Sequence, residues 1–245
     1  MNRRWRVPLA VAMIASTVAC NDLPGRPAPA SDVLRPSQQT DFFALYAQNC
    51  AACHGARGEG GAAIALADPI YLATVSDQVL RSVTANGVSG TPMPAFAQSA
   101  GGMLTAQQVA ALVEGVRKWA RPETLNGVHP PPYAADVPGE AERGAKVYQN
   151  FCASCHGPSG TGGKAAGSVV DPSFLALVSD QGLRTIVIVG RPELGAPDWR
   201  NDAPGHPMTD RQISDVVAWT VAHRVRYPGQ PYPSNAAKGA EGGAR

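Results

Sequence analysis

The chain has 245 residues, enough for one or two domains, and only 16% of them are charged. Lys and Arg number 21 against 19 Asp and Glu, a net charge of +2 that excludes the strongly basic surface nucleic-acid binding requires. The 26 Gly and 22 Pro suit small, loop-rich domains rather than one large close-packed core.

In chain order, Arg3, Arg4 and Arg6 precede an apolar run from Val7 to Ala19. That run is too short to cross a bilayer and predicts a secretory signal over residues 1–19. Its end, Thr17-Val-Ala-Cys20, resembles a bacterial lipoprotein signal, which implies a lipid on Cys20 and export to the periplasmic side of a bacterial membrane. Cleavage at Ala28-Pro29-Ala30 is the alternative and would leave no anchor. Removing residues 1–19 leaves 18 basic against 19 acidic side chains, so again no nucleic-acid partner is expected. Residues 20–37, rich in Pro and Ala, read as a flexible tether.

A helix over about 40–49 then leads into Cys50-Ala-Ala-Cys53-His54. The same string recurs as Cys152-Ala-Ser-Cys155-His156, after a helix over about 140–150. C-x-x-C-H is the attachment signature of c-type haem. Two thiols one turn apart add to the two vinyl groups of one porphyrin, and the adjacent histidine reaches the iron. Two such strings predict two covalently attached haem c groups, through Cys50, Cys53, Cys152 and Cys155, with His54 and His156 as iron ligands. Only Cys20 is left over, with no partner for a disulfide.

Each haem string opens an internal repeat. "DPIYLATVSDQVLRSVTANGVSGTPMPAF" aligns without a gap to "DPSFLALVSDQGLRTIVIVGRPELGAPDW", matching Asp68 to Asp171, Arg81 to Arg184, Gly87 to Gly190 and Phe96 to Trp199. The two glycines read as helix C-caps. A periodic helix closes each unit, starting at the capping boxes Thr105-Ala-Gln-Gln108 and Thr209-Asp-Arg-Gln212. Phe42 before the first haem string corresponds to Gly144 before the second, while Gly115 of the first closing helix corresponds to Trp219. Bulk opposite glycine, with partners exchanged, predicts that the first and last helices of each unit cross there. Between the units, residues 121–139 form a linker stiffened by Pro130, Pro131 and Pro132, and residues 227–245 read as a disordered tail.

With Tyr46 and Tyr148 four residues before the haem strings, the Met93-Pro-Ala-Phe96 loop and the closing helices, the chain resembles the small class I cytochrome c fold repeated in tandem. The resemblance implies an all-α protein with cytochrome c domains over 38–120 and 140–226. It also implies a carrier of single electrons that docks with membrane respiratory or photosynthetic complexes. By the same resemblance Met93 is the sixth ligand of haem 1, and Met/His ligation raises the potential. The aligned residue in the second unit is Ala196, which cannot ligate. Met208 is the first choice for haem 2, with His206 or an open site as alternatives. Met208 also aligns with Leu104, directly before the capping threonine, where a hydrophobic staple would use it. Arg81 and Arg184 are candidate propionate contacts, since a guanidinium offers a bidentate fork. The rival function is a two-haem redox enzyme, peroxidase-like or oxidising sulfur compounds, with an open haem in the second unit.

Overall fold

The computed structural model describes residues 34–201, 206–226 and 228; the expected signal, Cys20, most of the tether and nearly all of the tail lie outside them. Residues 34–39 belong to a unit of their own, where a single 3-10 turn over Pro36–Gln38 is closed by the Arg35 N–H donating to Gln38 Oε1 at 3.1 Å.

From residue 40 onward the described chain is helical, with two isolated β-bridges and no strand. The first repeat forms α1 (Phe42–Asn49), α2 (Ala51–His54), α3 (Pro69–Thr74), α4 (Asp77–Asn86) and α5 (Ala106–Arg117). The second forms α6 (Ala141–Phe151), α7 (Ala153–His156), α8 (Pro172–Leu177), α9 (Asp180–Val189) and α10 (Asp210–Val221). Local sequence explains the boundaries. Asp68 and Asp171 each cap a proline-initiated helix by accepting two backbone N–H bonds, and Ser76 and Ser179 cap the next one. Both T-x-x-Q boxes form as expected, with reciprocal bonds between Thr105 and Gln108 and between Thr209 and Gln212. Gly87 and Gly190 end α4 and α9 at φ of 68° and 73°, a conformation a side chain would strain.

The exchanged bulk-and-glycine pairing is present. A Cβ on Gly115 would fall inside the ring of Phe42, and a Cβ on Gly144 would collide with the Asp215 carbonyl on the facing helix. So α1 crosses α5, and α6 crosses α10, at the glycines. Around these crossings lies the buried core of Leu45, Tyr46, Leu112, Val113, Val116, Val147, Tyr148, Ile213 and Val216.

The linker is held at both ends. Its 3-10 turn over Pro122–Leu125 packs on α3, while the Pro132 and Tyr133 carbonyls accept from Arg184 at 2.8 and 3.0 Å and Gln181 Nε2 donates to Tyr133 O at 2.8 Å. α9 also packs directly on α3.

Candidate haem sites

Each C-x-x-C-H string forms one short helical turn that follows its long helix directly. Cys50 and Cys152 stand at the junctions, where the chain bends and restarts as α2 and α7. No disulfide joins the four thiols, and burial pushes those of Cys50 and Cys152 up to about 11.

The histidines are oriented by backbone. His54 Nδ1 lies 2.9 Å from Ile64 O and His156 Nδ1 lies 2.7 Å from Gly167 O. A carbonyl can only accept, so Nδ1 carries the proton and Nε2 is left for a metal. His54 is buried, which lowers its pKa and keeps it neutral; His156 is only half-buried. Tyr46 and Tyr148 fix the turn behind each histidine, their hydroxyls donating to Gly55 O at 3.0 Å and Gly157 O at 2.5 Å. Two thiols and one oriented imidazole per turn are the donor set a covalently attached haem needs, so the residues fit that group twice.

On the opposite loops the two domains share a backbone path. Val88 N–H donates to Met93 O at 3.0 Å, and Arg191 N–H to Ala196 O at 3.0 Å. In both, the proline that follows, Pro94 or Pro197, lies against the helix-ending glycine. Ala196 therefore occupies the place of Met93 in space as well as in alignment.

Met208 lies in the core, in the slot that Leu104 fills in the first domain. Its N–H donates to Trp199 O at 2.8 Å as that of Leu104 donates to Phe96 O at 2.7 Å, and both side chains are 6% exposed in the core. It fills the staple position ahead of Thr209. His206 is exposed, its carbonyl accepting from Asn201 Nδ2 at 2.8 Å.

The two aligned arginines stand in different surroundings. Arg184 is buried, ion-paired to Asp210, and bonded to Ser214 Oγ and the two linker carbonyls, so it ties the linker to the second domain. Arg81, its partner in the repeat, is exposed beside Asp77, Glu114 and Arg117. Sequence reasoning missed a different pair. Arg117 binds Leu72 O, Val75 O and Asp77, and Arg224 binds the matching Leu175 O, Val178 O and Asp180. The two clamps bind matching groups, but Arg117 ends α5 whereas Arg224 lies three residues past the end of α10, so alignment does not pair them.

Residues 37–114 match the family model described as cytochrome c oxidase, cbb3-type, subunit III, and residues 141–222 match the one described as cytochrome c. The chain thus carries two c-type cytochrome domains in tandem. Over 131 residues it is 34% identical to the Cbb3-type cytochrome c oxidase subunit CcoP of Azospirillum sp. (strain B510), covering 49% of this chain and 40% of that protein. Over 134 residues it is 30% identical to the protein of the same name from Azospirillum brasilense, covering 50% of this chain and 41% of that one. The chain spans about two fifths of the length of these curated relatives. Among solved structures, a chain of the Kuenenia stuttgartiensis reducing HAO-like protein complex aligns at 17% identity with a TM-score of 0.42, over 79% of this chain and 100% of that one.

Proposed function

We propose that this protein binds two covalently attached haem c groups and carries single electrons to a membrane-bound complex. The observation that carries this is the doubled C-x-x-C-H turn, each with a histidine whose Nδ1 is held by a carbonyl, in two domains packed on each other. The bound groups would supply one-electron redox chemistry at iron. The chain's own work is to hold each imidazole as the Nδ1–H tautomer, with Tyr46 and Tyr148 fixing the turn behind it. In the first domain Met93, placed between Pro92 and Pro94, would supply a thioether to the iron alongside His54.

The partner we propose is a respiratory oxidase of the cbb3 type, on the strength of the match over the first domain and the similarity to the subunits so named. We further propose that the protein is exported and anchored at the periplasmic side of the membrane by lipid on Cys20, supported by Arg3, Arg4, Arg6 and the apolar run that follows. Among the described residues no helix is long and apolar enough to cross a membrane.

The test is the haem content of the purified full chain, followed by reoxidation of the reduced protein by membranes containing a cbb3-type oxidase. Two haems per chain and oxidase-dependent reoxidation are expected. One haem, or reoxidation indifferent to the oxidase, would overturn the reading. Mass spectrometry of the mature protein, with Cys20→Ser as control, tests the anchor.

A further inference from the structure

We infer that the second domain gives its haem a single protein ligand, His156, and leaves the other axial position as a binding site for a small exogenous ligand. This rests on the two-haem reading and goes beyond it, because an electron carrier needs no such site. The chemical class is a neutral diatomic molecule on the ferrous haem, or a small anion on the ferric one.

Four observations carry the inference. First, the loop that supplies Met93 in the first domain is reproduced in the second with alanine in its place. Ala196 is held there by two backbone bonds with Arg191, both 3.0 Å, and by Pro197 lying over Gly190. Second, that loop is fixed from outside as well. The Arg191 guanidinium pairs with Glu193 and donates to Gly61 O of the first domain at 2.7 Å, so the loop is not free to bring a more distant residue inward.

Third, Met208 already has a structural task. It sits one residue before a formed capping box, in the slot of Leu104, with its side chain in the core cluster that also holds Ile213 and Val216. A ligand role would take its side chain out of that cluster. A soft thioether is a competent ligand, but here packing and capping hold it back. Fourth, His206 is exposed, and the stretch between Asn201 and His206 reads Asp-Ala-Pro-Gly, which offers no thioether, imidazole, thiolate or phenol. Alanine therefore stands at the backbone position where the first domain has Met93, and its methyl group offers iron no donor atom.

The experiment uses the full-length protein. Haem content is measured first, because fewer than two haems per chain would overturn the functional reading and this inference with it. On the two-haem protein, ferric electron paramagnetic resonance and carbon monoxide titration of the reduced form are then read. One high-spin and one low-spin haem are expected, with one carbon monoxide bound per two haems. Ala196→Met should reduce carbon monoxide binding at least tenfold and convert the high-spin signal to low-spin. Met208→Leu, which installs the residue the first domain uses, should leave both signals unchanged, as should His206→Ala. Two low-spin haems that bind no carbon monoxide in the unaltered protein would overturn the inference. A new high-spin signal in Met208→Leu or His206→Ala would do the same and would name the ligand.

Discussion

The Trp219 indole stacks on Tyr148 with ring centroids 4.0 Å apart, and in the first domain Trp119 meets Tyr46 edge-on at 5.0 Å. Each tryptophan also covers a glycine of the haem loop, Gly58 or Gly160. Yet they are not aligned residues. Gly115 is the counterpart of Trp219, and Trp119, one turn later, is the counterpart of His223. The first domain spends the earlier turn admitting Phe42, so its indole arrives from the next one. The second has Gly144 facing the helix and can use the earlier turn directly.

This exchange predicts different tolerances at the two crossings. Gly115→Ala should destabilise the first domain by about 1–3 kcal/mol through overpacking, and Phe42→Leu should partly restore it by shrinking the ring in the way. Gly144→Ala meets backbone at Asp215, which cannot be trimmed, so no second-site change at Trp219 should rescue it. Thermal unfolding of the holoprotein, followed at the haem absorbance, checks both.

Arg184 is the second target. Removing it strips partners from Asp210, Ser214 and two linker carbonyls, at a cost of about 3–5 kcal/mol if the remaining charge stays buried and less if Asp210 finds water. Arg184→Lys should not rescue, because an ammonium lacks the planar fork. Limited proteolysis should then cut between 121 and 139. The potential of the second haem should move little; a large shift with an uncut linker would point to a propionate contact instead.

An acid limb should belong to the second domain. Burial alone would raise the Asp215 pKa, but bonds from Arg143 and from the Glu140 N–H outweigh it and hold the carboxyl below its ordinary value. A depressed folded-state pKa contributes stability that is present above the unfolded value of about 3.9 and lost as pH falls through the folded one. The counterpart of Asp215 is Ala111, so below about pH 4 the α6–α10 crossing should loosen first. Asp215→Asn should remove that dependence and cost about 2 kcal/mol at neutral pH. Urea midpoints at pH 3, 4 and 7, monitored domain by domain, would show it.

Met93→Ala should lower the potential of one haem only, by on the order of 0.1 V within the roughly 0.8 V that axial ligands span. The same variant should bind carbon monoxide at that haem. A redox titration showing two unchanged potentials would remove Met93 from the iron.

Much of this was legible in the sequence because it is local. The Thr105 and Thr209 capping boxes and the C-cap glycines Gly87 and Gly190 each depend on residues within one turn, and all form as the pattern predicts. The glycine crossings were readable because two copies could be compared. The Arg117 and Arg224 clamps were not, since the two arginines bind matching groups from positions that do not align. Arg184 has neighbours that alignment does not carry. It aligns with Arg81, but its surroundings differ: Asp210 and Ser214 stand where the first domain has Ala106 and Ala110, and the linker exists only once. Alignment carries residue identity, whereas role follows from neighbours.

The linker carbonyls held by Arg184 and Gln181 have a kinetic meaning as well. A polypeptide bolted at both ends does not let its domains swing together and apart. For a pair of redox centres, the gap an electron must tunnel across is then set once, when the chain folds. Transfer between them becomes a first-order event, indifferent to solvent viscosity and protein concentration, and only the exchange with outside partners is left to diffusion.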